Sequence, residues 1–249
     1  MGVYSHKQSF SLRCNDLDFK DEVKPSALLA FAQEAAVSSA DELGFGYEAL
    51  KRDGRGFIVA STYCEIFKPI RIGDVLTVET WPLPPRHIIF ERGYRVFDRN
   101  GEPAAALASR WCLVDLKSFT PLTPDKLGRV HAECPYRAEK AVEAESWRIP
   151  RLLDEGTEVL RMQVKNSHCD HYLHANNTRY MDFFCDCFTM EELSARTLRA
   201  FQISYLKQAK EGSELVLYRK DNPKDAVLEA RVEGELISAC RVFWTENKQ

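Results

Sequence analysis

The chain has 249 residues, 45 % of them hydrophobic and 29 % charged, with a formal net charge of −3. That length fits one large domain or two small ones and allows a full core without staples, with roughly 70–75 % of the unfolded surface buried. The charge argues against a general nucleic-acid binder, which concentrates positive charge, and no run of about 18 apolar residues is available to span a bilayer.

The opening MGVYSHKQSF lacks the apolar region of a secretory signal and passes quickly into strand-like alternation. Met1-Gly2 begins as a myristoylation signal does, but His6 stands where that signal carries Ser or Thr. No Ser/Arg-rich transit segment precedes the first strand, which favours a bacterial over a plastid setting. The eight cysteines are therefore expected as free thiols in a reducing cytoplasm.

A first helix is predicted from about Pro25, whose fixed φ suits a first helical turn. Leu28, Phe31, Ala32 and Ala35 share one face, and Gly44 or Gly46 ends the helix. Phe57 to Phe67 and Asp74 to Trp81, rich in β-branched and aromatic residues, read as strands. Asn100-Gly101 is a strong hairpin signal between two further long strands. From Phe119 to Ile149 the pattern lapses, with Pro121, Pro124 and Pro135 in a stretch of mixed charge. The predicted organisation is an N-terminal domain over 1–118, a linker over 119–149 and a C-terminal domain over 150–249. A second helix is expected from Asn176 or Asn177, both good N-caps. It would bury Tyr180, Phe183, Phe184 and Cys187, the last as a small core residue. The segments SELVLYRK, AVLEARVEG and ELISACRVFW then supply strands.

The two halves repeat each other weakly but in order. An offset of 152 places Asp18 over Asp170, Glu22 over His174, Leu28 over Tyr180 and Phe31 over Phe183. Farther on, Gly73 falls over Gly212 and Arg110 over Arg241, as they would if the loops were shorter in the second copy. A helix lying against an antiparallel sheet, twice over, is an α+β plan.

The stretch CDHYLHANN, Cys169 to Asn177, concentrates groups that can do chemistry. A metal site needs about four ligands in converging clusters. Cys185 and Cys187 lie inside a predicted helix, where i and i+2 point apart. Cys169 has histidines nearby, but a reactive thiol needs a lowered pKa, and only its neighbourhood argues for one. Thioester hydrolysis explains the stretch better. Asp170 would activate water or attack the carbonyl directly, and His174 would orient the reactants or shuttle a proton. The helix start at Asn176 and Asn177 would present N–H groups to the developing oxyanion.

Taken in order, "LLAFAQEAA…LGFG", "IFKPIRIGDVLTVETWP", "ASRWCLVDL" and "DHYLHANNTRY" make the chain resemble the acyl-acyl carrier protein thioesterase family over nearly its whole length. The resemblance implies a double hot-dog fold, two long helices each packed on a curved antiparallel β-sheet. It implies hydrolysis of acyl-acyl carrier protein to free fatty acid and carrier protein, ending fatty acid chain elongation, with no cofactor and no metal. The plant branch carries Asp-x-Asn-x-His-x-Asn-Asn, so Asp170, His174, Asn176 and Asn177 match, while Tyr172 stands where an Asn is expected. A phenol still donates one hydrogen bond but is bulkier. Gln208 falls where the family carries its catalytic Glu, and Ala209 where it carries a neighbouring Cys. Gln can position water but not take its proton, so that duty passes to Asp170 with His174. Glu211 and Glu214 are substitute bases if the register differs.

The first half has no such set, since Glu22 replaces His174 and Pro25 replaces Asn177. One active site per chain is therefore expected, with the first half contributing mainly an acyl-binding wall. An acidic carrier protein bearing a long- or medium-chain acyl thioester is the implied partner. Lys51, Arg52 and Arg55, or Arg179, Arg196 and Arg199, are candidates for its receiving face. No nucleic acid or membrane partner is expected, and a monomer suffices, with a homodimer left open. The alternatives are an acyl-coenzyme A thioesterase of the same fold, or a non-catalytic acyl-binding protein in which Tyr172 and Gln208 mark lost activity.

Overall fold

A computed structural model describes residues 4–71, 73, 75–153 and 155–246. Met1 and Gly2 of the myristoylation reading, and Asp74 at the expected start of a strand, lie outside the described residues. The first half contains β1 (His6–Ser11), α1 (Pro25–Glu42), α2 (Tyr47–Arg52), β2 (Arg55–Ile66), β3 (Val75–Pro82), β4 (Ile89–Phe97) and β5 (Pro103–Asp115). A short helix, α3 (Arg129–Glu133), lies in the connection. The second half contains β6 (Thr157–Gln163), α4 (Arg179–Cys185), α5 (Met190–Ser194), β7 (Arg196–Tyr205), β8 (Glu214–Asp221), β9 (Asp225–Val232) and β10 (Glu235–Glu246).

The strands form one antiparallel sheet in the order β1-β3-β4-β5-β2-β7-β10-β9-β8-β6. Each half thus has the same internal order, and the halves meet edge to edge at β2 and β7. In that seam Tyr63 lies opposite Gln202, two residues 139 positions apart. Gly73 and Gly212 stand at the same spacing, and both take a left-handed turn with φ of +83° and +85°. A pseudo-twofold axis therefore runs between Tyr63 and Gln202. This is the α+β double hot-dog plan, and it removes one exposed edge from each five-stranded half.

Pro25 opens α1 and Gly44, at φ +80°, follows its end. The helix buries Leu28, Phe31, Ala32 and Ala35 against the sheet. The second helix begins later than the Asn pair predicts, at Arg179, and runs only seven residues. It still packs Tyr180, Phe183 and Phe184 into the same core as α1, with Cys187 buried just beyond its end. The chain then restarts at Thr189, whose hydroxyl accepts from Glu192 N (3.1 Å) while the Glu192 carboxylate accepts from Thr189 N (2.7 Å). That reciprocal cap begins α5.

The connection after β5 is a strap laid on the sheet. Arg137 N donates to the Pro82 carbonyl (3.0 Å), its guanidinium lies 4.1 Å from the Trp81 ring centroid, and Trp81 Nε1 donates to the Glu139 carbonyl (2.8 Å). Farther along, Arg110 stacks on Trp147 (4.2 Å). Fully buried Glu229 on β9 then accepts from Leu152 N (2.9 Å) and Arg151 Nε (3.0 Å). No helix among the described residues is long and apolar enough to cross a membrane.

Candidate active site

The loop that leads into α4 is built by its own side chains. Backbone pairing of Cys169 with Ala175 closes it, Asp170 N donates to the His174 carbonyl (3.0 Å), and Leu173 N donates to the Asp170 carbonyl (2.9 Å). Leu173 takes φ +66°, which a branched side chain tolerates only when the surrounding bonds impose it. Asp170 Oδ1 accepts from Tyr172 N (2.9 Å), and Asn176 Nδ2 approaches Asp170 Oδ2 at 3.5 Å, the outer limit of a hydrogen bond. The carboxylate therefore has one oxygen held by its own turn and one only lightly held.

The Asn176 side-chain oxygen accepts from both Thr178 N (2.9 Å) and Thr178 Oγ1 (2.8 Å), turning the chain into α4. Its own N–H donates to the His168 carbonyl (2.9 Å) and is unavailable to a ligand. The Asn177 N–H makes no hydrogen bond among the described residues, so of the two expected oxyanion donors it is the one left unspent. His174 pairs with Lys210 through backbone, and its Nδ1 is buried without a partner. Ala175 N donates to the Ala209 carbonyl (2.9 Å), which places Gln208 next to the loop, with its own side chain exposed.

The three imidazoles of this stretch diverge. His168 meets the Phe183 ring, His171 packs against Tyr172 and Tyr47, and the His174 ring shares neither contact. Tyr47, the first residue of α2, comes from the other half of the chain. Its ring lies edge-on to His171 (5.6 Å) and to Tyr172 (5.8 Å), with Lys51 5.1 Å from its centroid. Burial, and then Tyr47, push the Tyr172 phenol up to about 12, so it is a donor at neutral pH. The sequence reading missed Tyr47, because no local pattern marks a residue brought in by the pseudo-twofold. Of the substitute bases, Glu214 is held by Arg161 and Glu211 is exposed. Arg55 is engaged by Asp53 and the Lys126 carbonyl, Arg179 by Asp182, and Arg196 by Asp221.

The loop has a twin in the first half. Leu17 pairs with Val23, Asp18 N donates to the Glu22 carbonyl (2.7 Å), Asp21 takes φ +58°, and Val23 N donates to the Ile70 carbonyl (2.8 Å). Asp18 Oδ1 caps this turn too, accepting from Lys20 N (2.8 Å) and Glu22 N (3.1 Å). The backbone bonds that shape the second loop have their counterparts here, at the offsets of 152 and 139 residues read from the sequence, while the Asn176 side-chain bonds have none, Lys24 standing in its place. A cavity of about 560 Å³ lies at this first loop, lined also by residues of α4 and α5. None of Asp170, Tyr172, His174, Asn176, Asn177 or Gln208 lines it.

Residues 3–123 match the sequence model of the acyl-ACP thioesterase N-terminal domain, and residues 153–246 that of the C-terminal domain. Two curated Arabidopsis thaliana proteins, chloroplastic oleoyl-acyl carrier protein thioesterases 1 and 2, are 20 % and 19 % identical over 83 % and 94 % of this chain. The chain spans 61 % and 65 % of their lengths. Among solved structures, an acyl-ACP thioesterase from Bacteroides thetaiotaomicron superposes with a TM-score of 0.88 at 20 % identity, over 97 % of this chain and 98 % of its own. The 12:0-ACP thioesterase from Umbellularia californica gives 0.86 at 18 % identity, over 99 % of this chain and 100 % of its own. At such identities the superpositions establish the shared fold, and the two domain matches, in order along most of the sequence, establish that this chain belongs to the acyl-ACP thioesterase family.

Proposed function

We propose that the chain hydrolyses acyl thioesters carried on acyl carrier protein, releasing fatty acid and free carrier protein, with the chemistry at the Asp170 loop. The observation that carries this is the Asp170 carboxylate, fixed through one oxygen and open at the other, in a loop that also holds a buried imidazole nitrogen without a partner. In this reading Asp170 takes a proton from water as the water oxygen adds to the thioester carbon. The Asn177 N–H and the Tyr172 hydroxyl meet the negative oxygen. Collapse of the tetrahedral intermediate breaks the C–S bond, and the proton passes from Asp170 by way of His174 to the departing thiolate. Gln208, next to the loop, orients the water.

The domain division follows the same proposal: 1–118 supplies the acyl-binding wall and Tyr47, 119–149 the strap, and 150–249 the catalytic residues. Lys51 and Arg52, on the helix that touches the loop, are proposed to receive the acidic carrier. The free thiols and the lack of a membrane-crossing helix among the described residues fit a cytoplasmic setting. The test is thiol release from carrier-protein esters of several chain lengths beside the matching coenzyme A esters, with Asp170→Asn as control. Faster turnover on the carrier ester, lost in the variant, is expected. Preference for coenzyme A would transfer the reading to that ester class, and no turnover on any ester by the folded chain would overturn it.

A further inference from the structure

The cavity opens where the pseudo-twofold puts the counterpart of the Asp170 loop. Phe19 and Lys20, the equivalents of His171 and Tyr172, line it, as does Met190, which opens α5 as Tyr47 opens α2. At the Asp170 loop the rings of His171, Tyr172 and Tyr47 pack against one another, and at the Asp18 loop the cavity stays open. We propose that this cavity is a second, non-hydrolytic binding site, and that its ligand is a long-chain carboxylate, a free fatty acid.

Its volume lies within the range of small-molecule sites, about 300–1,000 Å³. Ile66, Leu198 and Val242 line it from β2, β7 and β10, three neighbouring strands that together span about 10 Å of sheet. Leu28, Met181 and Phe184 line it from the helices. An apolar trough that crosses several strands suits an extended alkyl chain.

The charges around it suit a carboxylate. Asp18 holds its own turn through Oδ1, Glu22 is held by Lys20 (3.6 Å) and Arg71 (3.1 Å), and Asp182 is held by Ser26 and Arg179. Lys68 is paired with Asp98 (2.7 Å). That leaves Lys24, whose ammonium donates only to the Asn15 carbonyl (3.0 Å) among the described residues, and Arg199, exposed on β7. Asp186 and the second oxygen of Asp18 are the acid groups left to compete for them, and burial, then Asp182, push the Asp186 carboxyl up, weakening it as an anion.

The same loop lacks the means to hydrolyse. Glu22 stands in place of His174, and its carboxylate is already neutralised by two cations. Pro25 stands in place of Asn177 and has no N–H to offer an oxyanion. Binding without turnover is the consequence.

Calorimetric titration of palmitate into the intact chain, below its micelle-forming concentration, tests this independently of any hydrolysis. Saturable binding is expected, and Asp170→Asn should leave it unchanged. Leu198→Trp, which fills the trough, and Lys24→Glu, which reverses charge at its rim, should each weaken binding by about tenfold. Thioester turnover in both variants should stay within about twofold of the parent. If Leu198→Trp does not fold, Met190→Trp, at an exposed position, replaces it. The proposal is overturned if palmitate shows no saturable binding, if both cavity variants bind it as the parent does, or if Tyr47→Ala removes binding while Leu198→Trp does not.

Discussion

The loops headed by Asp18 and Asp170 share a backbone and differ in what their side chains have left to offer. Both turns are capped by the leading aspartate, both place a non-glycine residue at positive φ, and both are tied by the next-to-last bond to the segment before a left-handed glycine. In the first loop Asp18 Oδ1 accepts two backbone N–H bonds and its neighbour Glu22 is paired with cations. The second carboxylate oxygen is little engaged in both loops, and the difference lies beside it: His174 and Asn177 keep unspent groups where the first loop has the paired Glu22 and Pro25. The comparison teaches that the turn itself is structural. Chemistry depends on which of its polar groups the fold leaves unsatisfied.

The widest separation between the loops is expected from Asp170→Asn against Asp18→Asn. The first should lower thiol release by about 10²- to 10⁴-fold, the range of a lost general base. The second should leave release within about twofold, since neutral Asn still accepts the turn's hydrogen bonds. Equal losses in two folded variants would break the distinction. His174→Gln comes next, with a loss of about tenfold to a hundredfold in kcat and little change in KM. An effect on stability alone would make His174 a packing residue.

Smaller effects are expected where the other half meets each loop. Lys51→Glu with Arg52→Glu, beside the Asp170 loop, should raise KM for a carrier-protein ester by roughly three- to tenfold, less so at high salt, and spare a coenzyme A ester. At the Asp18 loop, α5 is held by Glu192 and Arg219, and the Arg219 hydrogen bond lowers the Glu192 carboxyl to about 2. Its folded value lies below the unfolded one, so the stabilisation is present above about pH 4.5 and is lost as pH falls toward 2. Glu192→Gln should cost at most about 1 kcal/mol at pH 7, because the pair is partly solvated, and flatten the acid limb of a stability curve. An unchanged acid limb in chemical denaturation would remove this role.

Much of the fold was legible because the repeat carries its own check. Gly73 and Gly212 mark matching left-handed turns, and Arg110 and Arg241 each reach a carboxylate on the preceding strand, Glu91 at 2.8 Å and Asp225 at 2.9 Å. The early end of the second helix was legible too, since Thr189 to Glu192 spells a capping box that restarts the chain. The apolar stripe ending at Cys187 masked that signal. Asp170, His174 and the Asn pair stood out by their chemistry. Which Asn N–H was spent did not, because the His168 carbonyl is fixed by a turn that periodicity does not describe. Tyr47 and the open cavity arise from the pseudo-twofold itself, which brings α2 to one loop and α5 to the other.

The strap that runs over Trp81, Arg110 and Glu229 has a consequence for symmetry. Two identical subunits joined at β2 and β7 would carry every substitution twice, once on each side of the axis. They would also separate on dilution. Covalent connection raises the local concentration of one half around the other to the order of millimolar for a short tether, so the five paired positions of the seam need not hold alone. It also lets each side of the axis vary by itself. One copy of a turn can keep its reactive groups while the other trades them for open space.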